Sequence, residues 1–117
     1  MDEKRIAELK AKIQQFRDDR DWKQFHNPKD LAISIAIEAG ELLEQFQWKD
    51  KEGVEDKVKQ EKHKVEDEMA DIYIYLLEMS DVLGIDLIEA ANRKMAKNAA
   101  KYPVEKAKGN SKKYTEL

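Results

Sequence analysis

Ile6, Leu9, Ile13 and Phe16 recur at spacings of three and four. That recurrence puts them on one helical face and predicts a first helix from about Asp2 to Arg20. An aromatic-rich connection follows, Asp21-Trp22-Lys23-Gln24-Phe25-His26. Asn27-Pro28 then gives a start signal, because Asn caps a helix and Pro suits its first position. The second helix is predicted to run to about Phe46. Its stretch Leu31-Ala32-Ile33-Ser34-Ile35-Ala36-Ile37 is apolar on nearly every side. A helix apolar all round is buried all round, and in so short a chain that implies cover from another subunit. Residues 48–63 are mostly Lys, Glu and Asp with Gly53 among them, and read as a solvated linker or frayed helix. The third helix is predicted over about Lys64 to Leu83, closed by Gly84 at a C-cap position. Its run Ile72-Tyr73-Ile74-Tyr75-Leu76-Leu77 has the composition of a buried strand, but the apolar pattern continues through Met79, Val82 and Leu83, and that length favours helix. Asp86 and Glu89 form a capping box for a fourth helix, about Leu87 to Lys101, which Pro103 stops.

These elements define an all-α chain, a four-helix bundle that completes its core by oligomerisation. Its 117 residues amount to one domain. The helical domain is expected over residues 1–103, with a basic C-terminal tail over 104–117 packing near an active site. Charged residues make up 40% of the chain and only four Gly and two Pro interrupt it, which favours long amphipathic helices over a sheet protein. Cysteine is absent, so disulfides, thiolate metal sites and Cys nucleophiles are excluded. The stretch Leu31–Ile37 is far short of the roughly 20 apolar residues a membrane span needs. The start, Met-Asp-Glu-Lys-Arg, has no apolar stretch behind it, and a cytoplasmic protein with no membrane partner is expected.

The net charge of −3 argues against a nucleic-acid polymer as partner. Its distribution is more informative. Residues 1–92 carry 14 basic and 23 acidic side chains, whereas residues 93–117 carry eight basic and two acidic. Two explanations fit that asymmetry: a solvated basic tail, or a basic segment that grips an anionic ligand or folds over an acidic surface.

Four acids stand out. Glu38 and Glu41 are three apart on the second helix, and Glu68 and Asp71 are three apart on the third. Residues at that spacing share a helix face. Such pairs are common on solvated surfaces, but these lie on helices whose neighbouring positions are built for burial. Antiparallel packing would gather four carboxylates, a costly arrangement unless a cation neutralises it. An oxygen-rich set without His or Cys suits Mg²⁺, with Mn²⁺ as a substitute. Two acidic stripes facing water are the plainer alternative. A di-iron bundle requires Glu-x-x-His on two helices, and it is excluded because Lys23 and Gln60 stand three residues before His26 and His63.

Glu38-Ala39-Gly40-Glu41, then 26 intervening residues, then Glu68-Met69-Ala70-Asp71 resembles the Glu-x-x-Glu … Glu-x-x-Asp pattern of MazG-like nucleotide pyrophosphohydrolases. The remaining motifs resemble the dCTP pyrophosphatase branch of that family. Arg20 to Pro28 is similar to its lead-in to the second helix and Glu44-Gln45-Phe46-Gln47-Trp48 to its exit. Ile74-Tyr75-Leu76, Lys94-Met95, Asn98, Tyr102-Pro103 and the closing Ser111-Lys112-Lys113-Tyr114-Thr115-Glu116-Leu117 also match. Ala99 and Ala100 stand where the branch often carries basic residues, and the linker matches poorly.

The resemblance implies a Mg²⁺ site on Glu38, Glu41, Glu68 and Asp71, which are also the catalytic set. It implies hydrolysis of a nucleoside triphosphate to monophosphate and pyrophosphate, with cytosine nucleotides favoured and nucleotide-pool sanitation as the role. It also implies a MazG-like bundle assembled as a homotetramer, with sites built from more than one chain. One carboxylate would take a proton from the attacking water, and Glu41 is the nominee. Lys94, Lys112 and Lys113 are candidates for the outer phosphates. Trp22, Trp48, Tyr75 and Tyr102, with the polar His26 and Asn98, complete the expected substrate-binding set. Phe25 is a further aromatic candidate. The alternative function is a non-catalytic helical oligomer, an antitoxin-like or scaffold protein. The intact acids favour the enzyme, since a scaffold has no use for clustered buried charge.

Overall fold

The computed structural model describes residues 2–117, and every described element is helical. The chain forms two compact units, one ending at Gly84 and the other running from Ile85 to Leu117. That boundary lies one helix earlier than the Pro103 boundary expected from the sequence.

In the first unit, α1 spans Asp2–Asp19 and buries Ile13, with Ile6 and Leu9 half-buried on the same side. It ends a residue earlier than predicted, at a turn in which Asp21 takes the left-handed conformation (φ 55°). A 3₁₀ turn, Lys23–Phe25, leads into α2, Pro28–Glu44. Asn27 caps α2 as its sequence predicts: its side-chain oxygen accepts from the Asp30 N–H at 2.9 Å, and Pro28 occupies the first turn. The helix closes two residues before Phe46 in a run of turns.

Of the two readings open for the charged stretch, linker or frayed helix, the structure has helix from Lys51 onward. α3 spans Lys51–Leu83, 33 residues, and is kinked at Glu61, whose backbone is not helical (φ −130°, ψ 38°). Three features explain why residues without an apolar face still form helix. Asp50 caps the start by accepting from the Gly53 N–H at 2.8 Å. A Cβ at position 53 would come within 3.2 Å of that capping oxygen, so Gly suits the close approach. The Glu61 carboxylate is gripped by Lys57 and Lys64, with Lys62 near Glu66 one face further on; pairs at these spacings support isolated helix. Those lysines, Lys57 first, hold the Glu61 carboxyl down at about 2. The far end stops at Gly84 (φ 65°), a left-handed C-cap that a residue with a Cβ would strain.

α2 and α3 pack as the central pair of this unit, and α1 lies against α3. The core within the chain is small: Ile13, Leu31 and Leu77. Leu31, 1% exposed, is the most completely buried of them. The expected all-round burial of α2 is not found within one chain, where Ile33, Ile37 and Leu43 lie open. One neighbouring helix covers only one of its faces.

In the second unit, α4 spans Leu87–Lys101. Asp86 caps it by accepting from the Glu89 N–H, while the Glu89 carboxylate pairs with Arg93 instead of closing the reciprocal half of a capping box. The segment expected as a tail is partly ordered, with the short helix α5 at Val104–Ala107 and a 3₁₀ turn at Tyr114–Glu116. The Tyr102 and Tyr114 rings meet edge-on at 6.1 Å, and the Lys101 ammonium lies 4.7 Å from the centre of the Tyr114 ring. No described helix is long and apolar enough to cross a membrane.

Leu31→Ala removes the best-packed side chain of the first unit and should cost about 2–5 kcal/mol in urea unfolding. A loss under about 1 kcal/mol would mean that α2 is held to α3 by something other than this contact.

Candidate active site

The pairing of α2 with α3 follows from which residues meet. Glu41 and Glu38 face Glu68 and Asp71, Ser34 faces Tyr75, and His26, just ahead of α2, faces Glu78. Residue numbers fall on one side as they rise on the other, so the helices are antiparallel, and a single face of α3 carries Glu68, Asp71, Tyr75 and Glu78.

At one end of this face, carboxylate oxygens of Glu38, Glu41 and Glu68 lie within 4.8 Å of one another. Asp71 joins their electrostatic neighbourhood and is the exposed member. Oε2 of Glu38 and Oε2 of Glu68 are buried with no hydrogen-bond partner among the described residues. Burial raises the Glu38 carboxyl to about 7, helped by Glu41, Asp71 and Glu68. Glu68 is raised too, by burial first and then by Glu41 and Asp71. Hard oxygen donors, uncompensated charge and buried oxygens without partners fit a divalent cation such as Mg²⁺ or Mn²⁺.

Glu38 and Asp71 also border a cavity of about 440 Å³. Leu9, Lys12, Ile13 and Phe16 of α1 form one wall, Trp22 and His26 of the connection another, and Ile74, Tyr75 and Glu78 of α3 a third. Trp22 packs edge-on to Phe16 at 5.8 Å, and the Arg20 guanidinium caps the Phe16 ring at 3.6 Å. Burial, then the charge of Glu38, raises the Tyr75 hydroxyl above its ordinary value.

The structure therefore gathers seven of the residues singled out in the sequence: the four acids with Trp22, His26 and Tyr75. Phe25, though exposed, does not line the cavity. Trp48 is 94% exposed, in the left-handed conformation at φ 67°, and is not among the cavity's lining residues. Lys94, Asn98, Tyr102, Lys112 and Lys113 belong to the C-terminal unit. Sequence reasoning missed Glu78, which is buried in the cavity wall with its Oε2 3.0 Å from His26 Nδ1. The available signal was an acid seven residues after Asp71, two helical turns along the same face, inside an apolar run.

Residues 33–117 match the family model described as MazG-like. The chain is 36% identical over 114 residues to dCTP pyrophosphatase 1 of Bos taurus, a match covering 96% of this chain and 68% of the relative. It is 35% identical to dCTP pyrophosphatase 1 of Homo sapiens over the same length, 96% of this chain and 67% of the relative. Among solved structures, a pyrophosphatase from Archaeoglobus fulgidus superposes with a TM-score of 0.81 at 47% identity, covering 85% of this chain and 93% of that one. This chain belongs to the MazG-like family.

The raised Glu38 carboxyl has a consequence for metal-free protein. A group that binds its proton more tightly folded than unfolded stabilises at low pH, and that contribution is lost as pH rises from its ordinary 4.5 through about 7. Glu38→Gln removes this dependence. In metal-free buffer the melting temperature of Glu38→Gln relative to wild type should increase between about pH 5 and about pH 8. A constant difference across that range would show that neither burial nor the neighbouring acids hold the Glu38 carboxyl above its ordinary range.

Proposed function

We propose that this chain hydrolyses cytosine deoxynucleoside triphosphates, unmodified or modified, to the monophosphate and pyrophosphate, using a divalent cation held by Glu38, Glu41, Glu68 and Asp71. The chain is a nucleotide pyrophosphohydrolase, on the strength of its family and of the pyrophosphatase relatives described above. The choice of dCTP rests on the relatives that carry that name, and a role in clearing the nucleotide pool follows from that substrate. The observation that carries the reading is the meeting of the acid cluster and the aromatic cavity at Glu38, with Asp71 lining the cavity beside the cluster.

Phosphoryl transfer demands positioning and charge neutralisation more than covalent chemistry. A bound Mg²⁺ supplies Lewis-acid polarisation of phosphoryl oxygens. The four acids would hold that cation and through it place the triphosphate, and one of them, with Glu41 the nominee, would take the proton of the attacking water. Trp22 and Tyr75 provide ring surfaces for the base, with His26 beside them. Stacking on such rings is worth roughly 1–3 kcal/mol per base. Lys94, Lys112 and Lys113 supply positive charge for the outer phosphates, and Asn98 and Tyr102 complete the contacts. A scaffold role is disfavoured because buried acids without partners weaken a fold that does not use them.

We also propose a homotetramer. Ile33, Ile37, Met69, Tyr73 and Leu76 leave exposed apolar surface on the central pair, more than a single chain needs. A Trp48 ring that stands away from its own chain is suited to a ligand held by a neighbouring copy.

Purified protein with Mg²⁺ should convert dCTP to dCMP and pyrophosphate, read by ion-exchange chromatography. Glu68→Gln and Asp71→Asn should lower turnover by at least about a thousandfold while circular dichroism stays unchanged. Free phosphate with dCDP as sole products, or near-native activity in either variant, would overturn the assignment. Mg²⁺ should also raise the melting temperature of wild type and not of Glu68→Gln, a test independent of turnover.

Light scattering at micromolar concentration should give the mass of four chains. A fully active monomer would sink the assembly proposal.

A further inference from the structure

The cavity lining includes a polar pair that the phosphate chemistry does not use. Glu78 is 7% exposed, and its Oε2 stands 3.0 Å from Nδ1 of His26. The two atoms are close but not aligned for a hydrogen bond, and both are buried with no hydrogen-bond partner among the described residues. Both residues line the cavity. Buried polar atoms are nearly always hydrogen-bonded, so a close but unbonded acid–imidazole pair beside a ligand-sized cavity needs a physical reason.

We infer that Glu78 is the specificity-determining residue for the base, accepting a hydrogen bond from the exocyclic amino group of cytosine through Oε2, with His26 orienting the carboxylate. This deepens the proposed nucleotide reading and rests on it.

Two further features support the assignment. The first is register. Asp71 and Glu78 are seven residues apart on one face of α3, a rise of about 10 Å along the axis. That separation is comparable with the reach from an α-phosphate across the sugar to the far edge of a pyrimidine. Tyr75 lies between them on the same face, beside where the ring would rest. The second is chemistry. An ionised carboxylate only accepts hydrogen bonds. Burial by itself opposes that accepting form, raising the Glu78 carboxyl against the pull of His26 and then Arg17, with Asp81 adding to the rise, so the ionised state depends on a donor meeting it. An amino donor at Oε2 favours the ionised form. A uracil or thymine would instead point its 4-oxo oxygen at that atom, setting lone pair against lone pair. A site built to hydrogen-bond one group rejects the analogue that lacks it, because its own buried atoms are then left unpaired.

The test uses two matched pairs that differ only in amino versus oxo: dCTP with dUTP, and 5-methyl-dCTP with dTTP. Wild type should favour the amino member of each pair by about tenfold or more in kcat/KM. In Glu78→Gln the amide can turn its NH₂ toward a 4-oxo group, so both ratios should shrink by about tenfold, chiefly through gain on dUTP and dTTP. Calorimetric titration of wild type with dCMP and dUMP in Mg²⁺ gives the same comparison without turnover or a variant, and dCMP should bind about tenfold tighter. Equal binding of the two monophosphates would overturn the inference. So would a folded Glu78→Gln that keeps the wild-type ratios, or one that melts lower and loses activity equally on all four substrates. Equal turnover of dCTP and dUTP removes the role of Glu78 but leaves the pyrophosphohydrolase reading standing, whereas no turnover of any nucleoside triphosphate removes that reading as well.

Discussion

Carboxylate oxygens of Glu38, Glu41 and Glu68 are held within 4.8 Å of one another, and like charges so placed push α2 and α3 apart. The helices stay together because contacts elsewhere hold them. Leu31 and Leu77 bury their side chains toward the other end of the pair, and the alignment they set carries the acids into opposition. The unfavourable cluster and the favourable core are thus two ends of one antiparallel packing. Its energetic consequence is visible in Glu38, where burial and its acidic neighbours lift the carboxyl to about 7. On the proposed reading, a bound cation would relieve that repulsion.

The parts of this arrangement legible in the sequence are those fixed by local rules. The Asn27 and Asp86 caps, the Gly84 stop and the three-residue spacing of each acid pair depend on residues a turn apart. Each appears where the pattern puts it. For the stretch 48–63 the sequence leaves linker and frayed helix both open, because it has no apolar stripe, and from Lys51 the structure has helix. Its helix is held by the Asp50 cap and by Lys57, Glu61 and Lys64, interactions that leave no trace in hydrophobic periodicity. Glu78 was missed for the opposite reason. It sits in a run apolar enough to be read as core, and its partner His26 is more than fifty residues away in sequence. Trp48 was recognised as a candidate, but its direction depends on a positive φ that no local spacing announces.

α3 organises the chemistry by order along one face. Glu68 and Asp71 lie at the charged end, Tyr75 follows a turn later, and Glu78 comes a turn after that. A nucleotide has the same order, from phosphate to sugar and ring to the polar edge of the base. On the proposed reading, one helix offers a ruler with matching marks, while α1 and the Trp22–His26 connection wall the cavity from the other sides. Rigidity follows from the element itself: side chains on one helix hold their spacing because the backbone hydrogen bonds fix it.

α2 divides its work differently, and this accounts for a sequence apolar on nearly every side. Leu31, Ser34, Glu38 and Glu41 fall at spacings of three and four and turn toward α3, where each has a partner or a place in the core. Ile33 and Ile37, four apart, fall on a second face and stand exposed in the single chain. A helix serving only the site would carry polar residues there. Isoleucine at both positions makes sense if a second copy covers them, and cover there would hold α2 in place while its acids repel those of α3. On the proposed assembly, the subunit contact and the metal site are neighbouring faces of one helix, since Ile37 and Glu41 are themselves four residues apart, and the contact beside the site opposes the separation that the acids promote.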